Sequence, residues 1–185
     1  MSCDEEPPSY SLLHLHQIPP SGGDTLFANM YAAYDALSDT MKGCLADLRA
    51  VNGSRHHFRD YFGYEGHDLR EEAYPEATHP VVRTHPETGK TGLYIHGGFL
   101  RHDSLFDGRS GERLERAESE AIVRELLQQH GRPEYTCRFE WTPGSIAFWD
   151  NRAVQHYAAS DYHPHKRILR RITVSGDEPF YNPAD

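Results

Sequence analysis

Strand-like runs dominate the pattern of apolar and polar positions, and helical spacing is confined to three stretches. Ser11–Gln17 reads as a strand stopped by the Pro- and Gly-rich turn at 18–24, and Thr25–Asn29 reads as a second. Met30–Leu37 carries Ala32, Ala33 and Ala36 at helical spacing. Ser38 and Asp39 can cap a following helix whose apolar stripe is Met41, Cys44, Leu45 and Leu48. Strands are expected over Arg49–Phe58 and His79–Thr84, and the polar stretch between them, 59–78, is long enough for a functional loop. Thr84–Lys90 turns into a strand over Gly92–His96. After an irregular loop at 101–112 comes the longest helical pattern, Glu112–His130. Ser110 is its expected cap, Leu114, Ala117, Ala121, Ile122 and Leu126 share one face, and Gly131 to Pro133 stop it. Tyr135–Trp141, Ser145–Trp149, Val154–Ala159 and Arg167–Ser175 complete the strands. Many short strands with segregated helices predict a mainly β fold with helical insertions, an antiparallel barrel or jelly-roll.

Length and charge narrow the function classes. The chain has 185 residues, the size of one domain over 1–185. With 19 Lys+Arg against 28 Asp+Glu the net charge is −9, which argues against nucleic acid and anionic membrane as partners; any anionic ligand must be caught by local cations. The three cysteines, Cys3, Cys44 and Cys137, are far apart and form neither a disulfide framework nor a thiolate zinc site. No apolar run approaches the roughly 18 residues that span a bilayer, and the first residues are acidic, so a soluble, cytoplasmic chain is expected.

The densest chemistry lies in Trp149-Asp-Asn-Arg-Ala-Val-Gln-His156, followed after a turn by Lys166-Arg-Ile-Leu-Arg-Arg171. Alternation on a strand puts Arg167, Leu169 and Arg171 on one face and Ile168, Arg170 and Ile172 on the other. Two guanidinium groups roughly 13 Å apart, at about 3.3 Å per residue, are costly to bury unless each meets an anion. A pocket for two acidic small molecules would use them so; a solvated basic edge strand is the alternative. His156 by itself is either a metal ligand or a hydrogen-bonded structural histidine.

Segments in order along the chain resemble the taurine dioxygenase family, iron(II)- and 2-oxoglutarate-dependent enzymes that include the 2,4-dichlorophenoxyacetate and alkylsulfatase oxygenases. They are Gly22-Gly-Asp-Thr-Leu-Phe27, Leu37-Ser38, His79 to Lys90, Gly98-Phe99, Trp149-Asp-Asn-Arg152, Gln155-His-Tyr-Ala158, Asp161-Tyr162 and Gly176 to Phe180. The resemblance implies a double-stranded β-helix (jelly-roll), incomplete at its N-terminal side, the chain being the C-terminal two-thirds of the family domain. It implies Fe(II) as cofactor, with His156 as the distal iron histidine and no catalytic residue beyond the metal site. 2-Oxoglutarate would be the cosubstrate, its far carboxylate clamped by Arg167 and hydrogen-bonded by Thr25. Arg171 would pair with the acidic group of a small anionic substrate, taurine or a related sulfonate, and Phe62 and Phe99 would wall the substrate pocket. Phe27 and Trp149 read as aromatic packing near the metal. Dioxygen would be the other reactant, and homodimers or homotetramers are common in the family.

The chemistry requires two histidines and a carboxylate on one face of the iron. In the family the first two ligands form H-x-D just before the segment that aligns with residues 1–8, and no H-x-D occurs in this chain; the only H-x-E is His85-Pro-Glu87, in a turn. His14-x-His16 and His163-x-His165 have no carboxylate at ligand spacing. The leading expectation is a gene model clipped at its 5′ end and a chain inactive as it stands. The alternatives are a non-catalytic remnant or binding module that keeps the arginine-lined anion pocket, and a cupin-like metal site built on His85, Glu87 and His156.

Overall fold

The structure is a computed structural model and describes residues 1–55 and 74–183. Two three-stranded antiparallel sheets face each other. The first has strand order β11 (Ile168–Val174), β1 (Tyr10–Gln17), β9 (Ile146–Asp150); the second has β10 (Val154–Ala158), β2 (Thr25–Asn29), β8 (Thr136–Phe139). The chain crosses from one sheet to the other at every connection among these six strands except the long excursion from β2 to β8. That alternation is the mark of a jelly-roll, as expected.

The excursion holds the helices and the remaining strands. Its elements are α1 (Met30–Asp35), α2 (Asp39–Leu45), β3 (Leu48–Gly53), β4 (Glu76–Pro80), β5 (Val82–Thr84), β6 (Thr91–Leu93), β7 (Phe106–Asp107) and α3 (Arg116–Gln128). They enclose a core of Met30, Ala33, Leu45, Leu48, Val81, Leu93, Ile95, Leu105, Val123 and Leu126, to which β2 adds Ala28. The other face of β2 looks into the gap between the sheets, where Leu13, Leu15, Trp141, Ala147 and Trp149 form a second core with Phe27, Phe139, Val154 and Leu169 around it. Strand β2 is therefore covered on both faces, which fixes its register tightly.

Local rules explain the helix ends. Ser38 caps α2 as expected, its hydroxyl accepting from the Met41 N–H. The expected cap of α3 is not observed: Ser110 belongs to a turn closed by Asp107, whose carboxylate accepts from the N–H groups of Arg109 and Ser110. The helix starts only at Arg116 and buries Ser119, Val123 and Leu126, while Ala117 and Ala121 lie exposed. Ser119 joined this face because its hydroxyl finds partners, donating to the His102 carbonyl and accepting from the Leu105 N–H. The single strand expected over 79–84 is broken at Val81, whose N–H bonds to Leu48 and whose carbonyl takes the Tyr94 N–H.

On the sheet β11-β1-β9 the two faces differ sharply. Cα pairing sets Ile172, Leu12 and Phe148 side by side on the outer face, where Ile172 is 66% and Phe148 61% exposed. Arg171, Leu13 and Ala147 form the corresponding inner row. Among the described residues no helix is long and apolar enough to cross a membrane.

Candidate functional site

The inner faces of the two sheets bring together Thr25, Phe27, His156, Trp141, Trp149, Arg167 and Arg171. His156 stands opposite Phe27 in the β10–β2 register, and Thr25 opposite Ala158 and Phe139. The His156 ring lies 4.9 Å from Trp149 and 6.4 Å from Phe27, between centroids. Burial, helped by the charge of Arg171, pushes its pKa down to about 4, so at neutral pH the imidazole is uncharged, the form that ligates metal.

Arg167 enters from the residue before β11. One of its guanidinium nitrogens donates to Thr25 Oγ1 at 3.4 Å, and its plane lies over the Trp141 ring at 5.8 Å. Its Nε is buried with no partner, and burial pulls its pKa down. The tight approach rests on the Gly22-Gly23 turn, where both residues have positive φ. A Cβ on Gly23 would stand 3.2 Å from Arg167 Cδ and 3.0 Å from the Pro19 ring, and one on Gly22 would strike Asp161. The Gly23 N–H donates to the Asp161 carboxylate at 2.8 Å, tying the turn before Thr25 to the loop before Arg167.

Arg171 repeats the arrangement four residues, two pleat repeats, further on. It donates to Ser11 Oγ at 2.9 Å and lies over Trp149 at 5.9 Å; partial burial lowers its pKa although the residue as a whole is exposed. Trp149 Nε1 and Ser11 both converge on Asn151 Oδ1, at 2.8 and 3.2 Å. Among the described residues neither Arg167 nor Arg171 has a carboxylate within ion-pair distance. Asp24 is taken by Arg138, at 2.6 Å.

Asp150 and Arg152, in the same Trp-Asp-Asn-Arg run, have a different task. Arg152 is 5% exposed and reaches Asp150, Glu87 and the Tyr10 hydroxyl. Asp150 also accepts from His85 Nε2 at 2.9 Å. Burial alone would raise the Asp150 pKa, but the bonds from Arg152 and His85 outweigh it and hold it at about 2. His85 Nδ1 accepts from the N–H groups of Glu87 and Thr88, so both ring nitrogens are engaged. That removes His85-Pro-Glu87 as a metal-binding set: it is the clamp between the β5–β6 hairpin and the end of β9.

Among the described residues no group of three His, Cys, Asp or Glu could hold a metal ion. His156 is one imidazole where a facial iron site needs three donors, and the described residues do not complete the set. Phe99 is buried on the β3 side, its carbonyl accepting from the Gly53 N–H and its ring 4.9 Å from His96. Phe62, and most of the loop that follows it, lies outside the described residues. Sequence reasoning missed Trp141, Ser11 and Asn151. The alternation over Tyr135–Trp141 puts Trp141 on the face of Phe139, but its partner Thr25 is 116 residues away, and only the fold joins them.

The profile of the taurine catabolism dioxygenase TauD, TfdA family matches residues 1–173. An alpha-ketoglutarate-dependent sulfate ester dioxygenase of Pseudomonas putida is 35% identical over 93% of this chain and 56% of its own. An alpha-ketoglutarate-dependent sulfonate dioxygenase of Saccharomyces cerevisiae is 32% identical over 97% of this chain and 42% of its own. The crystal structure of AAD-2 in complex with Mn(II) and N-oxalylglycine superposes with a TM-score of 0.82 at 29% identity, covering 98% of this chain and 68% of that one. The chain spans about half the length of the curated relatives it matches.

Proposed function

Since the chain belongs to the taurine catabolism dioxygenase TauD, TfdA family, we propose that it carries the anion-holding part of an iron(II)- and 2-oxoglutarate-dependent dioxygenase for a small anionic substrate. A sulfonate of the taurine kind or a sulfate ester is the substrate class. The observation that carries this reading is the pair of arginines on the inner face beside His156, each partly withdrawn from water and each met only by neutral hydroxyls. Buried guanidinium without a counter-charge is unfavourable, and an incoming carboxylate or sulfonate supplies the missing partner.

The roles divide by depth and by partner. Arg167 and Thr25 hold the far carboxylate of 2-oxoglutarate, the guanidinium offering a planar fork and the threonine an O–H. Arg171, set by Ser11 and backed by Trp149, holds the acidic group of the primary substrate and so fixes which of its C–H bonds faces the reacting centre. His156, neutral and flanked by two aromatic rings, is the one iron ligand among the described residues. Iron would supply the activation of dioxygen; the residues described here bind and orient.

Anaerobic addition of iron(II) and 2-oxoglutarate tests the reading in two parts. The 185-residue chain is expected to bind 2-oxoglutarate in an Arg167-dependent way and to develop no visible metal-to-ligand charge-transfer absorption. A clear band would show a complete iron site and overturn the one-ligand account. Absence of any 2-oxoglutarate binding would overturn the anion-holding role itself.

The second reading, a binding module that keeps the arginine pocket without turnover, draws on the same single imidazole. It differs in predicting no succinate formation from 2-oxoglutarate even when a segment carrying the family's H-x-D is joined ahead of Met1.

A further inference from the structure

Trp141 has no role in the account so far, yet its position is unusually constrained. It is 7% exposed, packs edge-on against Phe139 at 4.8 Å and lies under the Arg167 guanidinium. Its Nε1–H donates to Thr25 Oγ1 at 3.1 Å, and Thr25 itself is 1% exposed. The chemistry of the three groups is one-sided. An indole N–H can only donate, and a guanidinium can only donate, so Thr25 Oγ1 must be the acceptor in both of its bonds. Its own proton can go to neither partner, and among the described residues no acceptor takes it. Beside it the Arg167 Nε–H is also buried without an acceptor. Trp141, Thr25 and Arg167 thus form a cluster of donors in which both acceptor directions of the threonine are filled from inside, which leaves its O–H, like the Arg167 Nε–H, to be taken up by an acceptor other than the described residues.

We infer that Trp141 is a positioning residue for the cosubstrate: by filling an acceptor direction of Thr25 Oγ1 it aims the Thr25 O–H at the far carboxylate of 2-oxoglutarate, and its ring supports the Arg167 plane. This rests on the reading that Arg167 and Thr25 bind that carboxylate. Without the indole N–H the threonine hydroxyl turns freely and can present a lone pair where a proton is needed. The ring alone still carries the arginine, so removal of the N–H separates the two contributions.

The experiment is a double-mutant cycle on the full chain, read as the dissociation constant for 2-oxoglutarate by calorimetry, with taurine, whose sulfonate the reading sends to Arg171, as the matched control. Trp141→Phe keeps a ring and removes the donor. It is expected to weaken 2-oxoglutarate about five- to tenfold, the worth of one oriented hydrogen bond, and to leave taurine unchanged. In a Thr25→Val background the same substitution is expected to cost nothing further, whereas in Thr25→Ser, which keeps the hydroxyl, the full loss returns. Equal affinity of wild type and Trp141→Phe, or an undiminished loss in the Thr25→Val background, would overturn the inference. Unchanged affinity in Arg167→Met, or no binding by the wild type at all, would instead overturn the underlying reading and the inference with it. Should Trp141→Phe fail to fold, the indole N–H resonance of wild-type Trp141, one of only two tryptophans, decides. A shift with 2-oxoglutarate and none with taurine supports the role, and no shift with 2-oxoglutarate contradicts it.

Discussion

Arg152 and Arg167 sit on aromatic rings in the same molecule, over Tyr10 at 4.7 Å and over Trp141 at 5.8 Å; Arg152 is buried and Arg167 half-buried. Arg152 is surrounded by charge of the opposite sign: Asp150 at 2.8 Å, Glu87 at 2.9 Å and Asp177 at 3.7 Å. Arg83 beside it pairs with Asp177 and lies over Tyr94. Arg167 and Arg171 have hydroxyls and indoles instead. Burial already grades them, with Arg83 and Arg152 buried, Arg167 half-buried and Arg171 exposed over much of its side chain. Counter-charge separates them: a compensated arginine is part of the architecture, and an uncompensated one is held ready for a ligand.

The largest test of that contrast is stability. Arg152→Met leaves Asp150 and its neighbours without their cation and is expected to cost about 3 kcal/mol or more, the usual result of breaking a buried pair. Arg167→Met removes a charge that has no partner, and urea denaturation should find it within about 1 kcal/mol of the wild type or more stable. If the two substitutions destabilise equally, the distinction between the two regions fails. A ligand reverses the ranking. 2-Oxoglutarate at about a hundred times its dissociation constant should add roughly 2.7 kcal/mol to the wild type, the same to Arg171→Met, and little to Arg167→Met.

Acid separates the regions further. The Nε2 of half-buried His130 is itself buried and has no partner, and burial lowers the pKa from 6.5 to about 4. The unfolded chain takes up a proton first, so stability falls as pH is lowered from 6.5 toward 4; His156 acts in the same direction. Asp150 has the opposite sign: its pKa is depressed from 3.8 to about 2, so its contribution is complete above pH 3.8 and is lost as pH falls through about 2. Urea midpoints measured from pH 7 to 2 should show two separate declines, and His130→Gln should flatten the upper one. At the small end, Arg138 pairs with Asp24 at 2.6 Å but is half exposed. Arg138→Ala should not move the thermal midpoint measurably, since an exposed pair is screened; a large shift would show that pairing matters without burial.

Much of this contrast is visible in the sequence, and its limits are physical. Alternation in Arg167–Ser175 places Leu169 and Arg171 on one face because β11 pairs with β1 in unbroken register from Leu169 to Val174, the one register shift falling at Ile168. The jelly-roll follows from short strands of even spacing, and Gly22-Gly23 announces a tight turn by composition alone. The start of α3 is missed because Ser110 finds a nearer use in the Asp107 turn, where local hydrogen bonds compete with helix capping. Trp141 and Thr25, or Arg171 and Ser11, are joined by the packing of sheet on sheet, which no local pattern records. Nor does the sequence say which arginines carry counter-charges. Arg152 reads as one more basic residue of a motif until Glu87, 65 positions away, is seen beside it.

The most direct test of the account is a calorimetric titration of 2-oxoglutarate into the wild-type chain and into Arg167→Met, with Arg171→Met as the matched control. Binding by the wild type and by Arg171→Met, weakened about tenfold or more in Arg167→Met as expected for loss of a charged hydrogen-bonding partner, is the predicted result. Equal binding by all three, or none by any, would contradict the claim that Arg167 is a half-buried charge awaiting an anion.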